Sequence, residues 1–439
     1  MKRFAAVAAG ALVLAACQDN ASEPLAPTAG TSDAVAVDGL KSTEYVPGQV
    51  IVKFRKDVNA VSVAHANGGK IEKQLLPLVH LLRVPSGREL AVVAALRNNP
   101  NVEYAEPDYI RRPAIACGTG DCVVPTDLYF GYKWDHHNDG TINNSTGLLQ
   151  ANTTRTDADI DWIEAHNQLG AFTGSAVVSI IDTGVLSTHP DLSGKVLAGY
   201  DFVNNDNNPN DDDGHGTHVA GIAAAHGNNG LGVTGVAYGA NVKILPVKVC
   251  GPAGCPTSAI VSGIRYAADN GANVINLSLG GRFGSASEQS ALQYALSKDV
   301  LPFCASGNDG SKRTLSYPAA FPECVAVGST DWGDTKSSFS NGGSGLDIAA
   351  PGGDSENSSG YSYILSTYND GGYAFVAGTS QASPQAAGLA ALLYAQGLRG
   401  AANIRSRIEG TVDDLGQSGL DTSFGRGRIN VYKAINNIR

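Results

Sequence analysis

From residue 158 onward, short unbroken apolar runs alternate with segments of helical spacing. The runs are Ala176–Ile181, Val242–Val249, Ala272–Leu279, Val300–Ala305 and Cys324–Gly328. Runs this short and rich in β-branched residues suit strands covered on both faces of a parallel sheet. Between them, His218–Ala225, Ala259–Asn270, Glu288–Ser297 and Ser380–Ala395 have helical periodicity. The expected class is α/β, a doubly wound, mostly parallel sheet. Sites in such sheets lie beyond the carboxyl ends of the strands. Asp182 and Asn308 follow strand ends, and His215 and Ser380 open helices. These four residues are therefore expected to meet on one edge.

Upstream the pattern changes. Gln49–Phe54 alternates like a strand, and Arg88–Asn98 has helical spacing at Leu90, Val93, Ala94 and Leu96. The segment closes on Tyr104-Ala105-Glu106-Pro107-Asp108. A small α+β domain over residues 43–112 is expected. Residues 18–42 are rich in Ala, Ser, Thr and Pro and read as a flexible tether. Residues 113–157 are polar and read as a linker and N-terminal extension to an α/β domain at 158–439. At the chain start, Lys2 and Arg3 precede an apolar run from Phe4 to Ala16. That run is too short to span a bilayer and reads as an export signal over residues 1–17.

Composition sharpens this picture in three ways. A hydrophobic content of 43% with 16% charged residues allows a sizeable core. A formal net charge of −10 argues against nucleic acid as a partner. Export gives the cysteines meaning as disulfides. Setting Cys17 aside leaves six, and proximity favours Cys117–Cys122 and Cys250–Cys255. Cys304 and Cys324 sit in strand-like runs and can join neighbouring strands. The spacings are unlike C-x-x-C pairs, which argues against zinc.

A serine hydroxyl needs a histidine to take its proton, and that histidine needs an acceptor on its other nitrogen. An oxyanion needs preorganised donors. Ser380, His215 and Asp182 suit the first three roles, and Asn308 suits the last. A helix start at Ser380 adds a backbone N–H and the positive helix end.

Three segments carry a resemblance. Ile181-Asp182-Thr183-Gly184-Val185, His215-Gly216-Thr217-His218-Val219-Ala220-Gly221 and Gly378-Thr379-Ser380-Gln381-Ala382-Ser383-Pro384 resemble the signatures of the subtilisin-like serine proteases, the subtilases. Their order, Asp–His–Ser, is that of subtilisin. The resemblance covers residues 158–439 and includes the Asn308 segment. It implies a serine endopeptidase with Asp182, His215 and Ser380 as the triad and Asn308 in the oxyanion hole. It makes His215 the base and His218 a packed neighbour. Ser278, Leu279 and Gly280 are implied as the strand that pairs with substrate, and Gly307 as pocket lining. Asp309 lies near the mouth of that pocket and is expected to attract a basic side chain. Two positions depart from the family pattern: Gln381 where Met is usual, and Gln385 where His is frequent.

The resemblance also implies structural calcium. One loop offers Asp201, Asn204, Asp206, Asn208 and Asn210. A second offers Asp191, the side chain of Asn229 and carbonyls of Gly227, Leu231 and Val233. Residues 43–112 resemble a subtilase propeptide, which acts as an intramolecular inhibitor until self-cleavage between about 108 and 150. Leu14-Ala15-Ala16-Cys17 resembles a lipoprotein cleavage box with lipid on Cys17. The expected protein is an exported monomer acting on polypeptides. Its precursor sits in the cell envelope, and it touches membrane only through that lipid before maturation; the mature enzyme is extracellular. A rival reading is a catalytically silent subtilase fold that binds at a surface. An α/β-hydrolase esterase is excluded, because G-x-S-x-G and the order Ser–Asp–His are both absent.

Overall fold

The computed structural model describes residues 45–113, 129–136, 138, 157–162, 164–165, 172–238, 241–354 and 362–438. Cys17, the tether and the Cys117–Cys122 pair lie outside the described residues.

The N-terminal unit is built from β1 (Tyr45–Phe54), α1 (Ala60–Ala66), β2 (Lys70–Leu76), β3 (Val79–Arg83), α2 (Glu89–Arg97) and β4 (Val102–Pro113). Its strands pair antiparallel in the order β4-β1-β3-β2. Side chains alternate faces along a strand, and here both faces are apolar. Val50, Val52 and Phe54 of β1 pack with Val93 and Leu96 of α2. Ile51 of β1, Leu75 and Leu76 of β2 and Leu81 of β3 point the other way and share a cluster with the following domain. One small sheet therefore completes two cores.

The second domain continues with β5 (Ser175–Asp182), β6 (Tyr200–Asp201), α3 (His215–Ala224), β7 (Asn241–Lys248), β8 (Cys255–Pro256), α4 (Thr257–Asp269), β9 (Val274–Leu277), β10 (Leu279–Gly280) and α5 (Ala286–Ser297). Then come β11 (Leu301–Ala305), β12 (Val325–Thr330), β13 (Ile348–Pro351), β14 (Ile364–Thr367), β15 (Tyr373–Val376), α6 (Thr379–Gln396), α7 (Ala401–Glu409) and α8 (Val431–Asn436). Seven strands form a sheet in the order β13-β12-β11-β9-β5-β7-β6, parallel at every pairing. Chain direction across the sheet reverses at β5, whose last residue is Asp182. That is the switch point where a crevice opens.

The apolar run Ala272–Leu279 was expected as one strand. The structure divides it after Leu277 into β9 and β10. Ser278 leaves the ladder because its hydroxyl and its carbonyl both bond Ser380. Two disulfides, Cys250–Cys255 and Cys304–Cys324, are formed. The second ties the β11 strand to the residue before β12.

A short arm, Tyr129–His136, packs behind α3 and α6. Tyr129 donates its N–H to the Gly232 carbonyl at 3.1 Å. Asp135 is fully buried, and its Oδ2 accepts from Lys133 Nζ (2.8 Å), His136 Nδ1 (2.9 Å) and Gln385 Nε2 (2.7 Å). The lysine charge and these bonds hold the carboxylate ionised although burial opposes it. Gln385, one of the two departures from the family pattern, thus has a partner on the arm. Gln381 is fully buried with neither amide atom bonded, and nothing in the structure explains it.

The N-terminal unit docks on α4 and α5 through two buried carboxylates of β4. Glu106 accepts from the Ser285 hydroxyl (2.6 Å), Ala286 N–H (3.0 Å) and Ser287 N–H (3.1 Å) at the start of α5. Asp108 accepts from the N–H and hydroxyl of Ser258 in the first turn of α4. Such donors have no partner inside a helix. Replacing Glu106 with Ala buries three donors without an acceptor, at about 1–3 kcal/mol each. In a Ser380→Ala background, amides of the 45–109 unit are expected to exchange with solvent at least tenfold faster, while those of β9 and β11 hold. Unchanged exchange would remove the docking role.

Candidate active site

The helix that opens on His215 is held by acceptors rather than by propensity. His215 N–H donates to Asp213 Oδ1 at 3.2 Å, Gly216 N–H to Thr183 Oγ1 at 2.9 Å and Thr217 N–H to Asp211 Oδ2 at 2.9 Å. All three free donors of the first turn are met by side chains. Asp211 also accepts from Thr183 Oγ1 and Gly214 N–H. The acidic residues Asp211 to Asp213 look like a solvated run in sequence. In the structure Asp211 is buried and is the main cap of α3. It was missed because its partners are the first turn of α3 and Thr183, which follows β5 and lies 28 residues earlier.

His215 Nδ1 lies 2.7 Å from Asp182 Oδ1, and both side chains are buried. Burial alone lowers the pKa of His215, but the Asp182 carboxylate outweighs it and holds it above the ordinary 6.5. His215 Nε2 is buried without a partner. His218, one turn on, donates its Nε2–H to the Ala374 carbonyl (3.0 Å). Burial pushes its pKa down to about 3, so it is neutral and has no acid–base task near pH 7.

Ser380 is in the first turn of α6, fully buried. Its Oγ lies 3.2 Å from the Ser278 carbonyl, and its own carbonyl accepts from Ser278 Oγ at 2.8 Å. Asn308 Oδ1 accepts from Thr379 N–H (3.0 Å) and Thr379 Oγ1 (2.9 Å). With its oxygen fixed this way, Nδ2 is left as a buried donor without a hydrogen-bond partner. Gly307, beside it, has φ +105°, and a Cβ there would lie 2.2 Å from Ser316 Oγ and 2.4 Å from Asn341 Nδ2. Only glycine fits. Asp309 is exposed, and its Oδ2 accepts from Asn341 Nδ2 at 3.1 Å.

The end of β4 runs through this cleft. Arg112 and Pro113 pair antiparallel with Gly280 and Leu279 of β10. Ile110 and Arg111 pair with Pro256 and Cys255 of β8. The strand expected to receive a polypeptide therefore holds the chain's own backbone.

In both candidate cation loops protein donors already meet the buried carboxylate; Asp201 accepts from Val203 N–H (2.7 Å), Asn204 N–H and Asn204 Nδ2 (both 2.9 Å). Asp201 and Asp206 exchange backbone hydrogen bonds (2.9 and 3.1 Å), which folds the loop so that Asp201, Asn204, Asp206 and Asn208 share one turn. Asp201 is buried and bonds Asn204 N–H and Nδ2, and Asp206 bonds Asn208 N–H. Asn210 turns its amide toward the Asp211 carbonyl. These short oxygen-bearing side chains fit the hard-oxygen preference of Ca²⁺. At the second loop, buried Asp191 accepts from Asn229 Nδ2 (2.8 Å), Val233 N–H (2.9 Å) and Tyr373 Oη (2.8 Å). As folded, three protein donors already meet that carboxylate; Gly227 and Leu231 belong to the same loop but do not bond it. A third acidic group, absent from the sequence reading, is Asp159, Asp161 and Glu164, whose oxygen atoms lie within 4.8 Å of one another. Its members lie at the start of the 158–439 domain, ahead of its first strand.

A carboxylate, an imidazole and a hydroxyl at the switch point of a doubly wound sheet, with an amide donor beside them, are the equipment of a serine hydrolase. The chain belongs to the subtilase family, which residues 174–427 match. Residues 31–108 match the fervidolysin N-terminal prodomain. A thermophilic serine proteinase of Bacillus sp. strain AK1 is 41% identical over 403 residues, covering 89% of this chain and 88% of that one. Thermitase of Thermoactinomyces vulgaris is 49% identical over 261 residues, 59% of this chain and 88% of that one. The crystal structure of fervidolysin from Fervidobacterium pennivorans, described as a keratinolytic enzyme related to subtilisin, superposes with a TM-score of 0.69 at 26% identity. It aligns with 90% of this chain, which spans 62% of that one.

If Asp182 sets the charge preference of His215, Asp182→Asn lowers its titration midpoint. Ring-proton NMR on Ser380→Ala protein reads this directly. A midpoint that stays in place would show that another group governs the imidazole.

Proposed function

We propose that the protein is an exported serine endopeptidase made as an autoinhibited precursor. The observation that carries this reading is the β4 tail paired with β10 next to Ser380, with the Asp182–His215 pair and the free Asn308 donor in place. In the proposed reaction Ser380 Oγ attacks a peptide carbonyl, and His215 Nε2 takes the proton. Asp182 holds the imidazole by its Nδ1–H and stabilises the imidazolium. Asn308 Nδ2 and the Ser380 N–H meet the oxyanion. His215 then gives its proton to the leaving amine, and water releases the acyl group from Ser380. Ser278, Leu279 and Gly280 align the substrate backbone by adding a strand, and Gly307 lines the pocket for the side chain before the scissile bond.

The base must be neutral, so turnover should rise with pH through the elevated pKa of His215. The silent-binder alternative gives no use to the Asn308 Nδ2 donor, which is buried without a hydrogen-bond partner. Before maturation, residues 43–112 fill the cleft as an inhibitor. The first cut falls between about residues 108 and 150, beyond the part of the tail paired with β8 and β10. Lipid on Cys17 would then leave with the propeptide, and a soluble monomer would be released outside the cell.

A fluorophosphonate probe is expected to label the processed protein. Ser380→Ala should abolish labelling, lower turnover about a million-fold, as in subtilisin itself, and accumulate uncut precursor. An unlabelled wild-type protein overturns the enzyme reading.

Calcium is proposed as a structural ion at the Asp201 loop, where Asn204 must present its oxygen in place of its nitrogen. A second ion at Asp191 needs Asn229 turned in the same way. Removing calcium with EDTA should lower Tm by several degrees. Asp201→Ala in calcium buffer should reproduce part of that drop and blunt the remaining response to EDTA. A Tm indifferent to EDTA rejects the ion.

A further inference from the structure

The tail of β4 is taken up by two very short strands, and each is tied to a different part of the candidate active site. β10 is tied to the nucleophile, because Ser278 exchanges two hydrogen bonds with Ser380 just before the strand begins. β8 has only two residues, Cys255 and Pro256, and its support comes from the loop that leads into it. That loop starts at Asp182: the N–H groups of Val249 and Cys250 both donate to the Asp182 carbonyl, at 2.8 and 3.1 Å. It ends on Cys255, which pairs with Arg111.

Between these points the chain reads Cys-Gly-Pro-Ala-Gly-Cys. Its two glycines would leave it loose without a constraint. The Cys250–Cys255 disulfide closes it, with the Cα atoms 4.1 Å apart. Gly251 and Gly254 add a reciprocal pair of backbone bonds at 3.1 and 2.8 Å. Gly254 has φ +96°, a turn geometry that other residues resist. Both cysteines are fully buried. A buried disulfide is not placed for exchange with solvent thiols. Its position suits a fixed brace.

We propose that the Cys250–Cys255 disulfide is a specificity-determining brace that holds β8 in register for long, extended polypeptides. This rests on the endopeptidase reading. The residues nearest the nucleophile pair with β10, and those farther upstream pair with β8. A substrate long enough to reach β8 gains from the brace. A substrate confined to Ser278–Gly280 does not. The device therefore favours internal cuts in extended chains over short esters and dipeptides. It also tightens the hold on the chain's own β4 tail.

The test compares Cys250→Ala/Cys255→Ala with wild type on a chromogenic hexapeptide that extends upstream of the cut and on a blocked single-residue ester. The ratio of hexapeptide to ester kcat/KM is expected to fall about tenfold, mainly through the hexapeptide KM. Cys304→Ala/Cys324→Ala, which removes the other described disulfide, should lower Tm and leave the ratio within twofold. If the first variant does not fold, Gly254→Ala keeps the disulfide and strains the same turn; a smaller fall in the ratio is expected. An unchanged ratio in the folded variant, or an equal fall with either disulfide removed, overturns the brace. If fluorophosphonate labels wild type normally in that case, the endopeptidase reading stands and only the brace is lost. Absent labelling removes both.

Discussion

The first turn of a helix carries N–H groups with no partner inside the helix. Four such turns surround the cleft, and the source of their acceptors organises the molecule. For α3 the acceptors come from the same domain: Asp211, Asp213 and Thr183 meet the donors of His215, Gly216 and Thr217. For α6 the Thr379 N–H goes to Asn308 Oδ1, a bond that also decides which way that amide faces. For α4 and α5 the acceptors come from the N-terminal unit, through Asp108 and Glu106. The helices that carry the chemistry are thus capped internally. The helices beside them depend in part on a segment that the proposed maturation removes, although Ser285 Oγ also caps α5 at Glu288 N–H.

This division explains why the N-terminal unit has two apolar faces. A sheet with one buried face would close its own core and present a polar back. Here Ile51, Leu75 and Leu81 meet Ile260, Ile264 and Leu292 of α4 and α5. Apolar contact supplies the area, and the two carboxylates fix register on the helix ends. Their burial is costly for a charge: it raises the pKa of Glu106, and of Asp108 to about 6, against the bonds from Ser285 to Ser287 and Ser258. Register and affinity therefore come from different interactions.

The main strands were legible because burial on both faces leaves unbroken apolar runs, as in β5, β9, β11 and β12. Strand ends and helix starts pointed to two contacts that the structure shows, Asp182 with His215 and Asn308 with the start of the Ser380 helix. What stayed hidden depends on partners far away in the chain. β13 is four residues long and reads as part of a loop until Val327 pairs with Ile348. Glu106 and Asp108 look like polar residues closing a strand, since their partners lie about 150 to 180 residues on. Asp135 gave no signal, because Gln385, 250 residues later, is what makes it a hub. The candidate cation loops stand out in the sequence as runs of short oxygen side chains, which do not reveal the direction in which each amide points.

Pro384 shows how a local rule becomes a tertiary one. A proline inside a helix cannot donate to the carbonyl four residues earlier, and here that carbonyl belongs to Ser380. Pro384 sits within α6 and the helix continues through it. The freed carbonyl accepts from Ser278 Oγ, which Asn276 Nδ2 also bonds. Ser383 Oγ in turn bonds Asn276 Oδ1. The helix thus exchanges one internal bond for a link to the turn between β9 and β10. That turn is also where the apolar run breaks to free the strand that pairs with the β4 tail. The spacing from Ser380 to Pro384 is visible in the sequence. Its consequence is a direct link between the helix of Ser380 and the strand that holds the β4 tail.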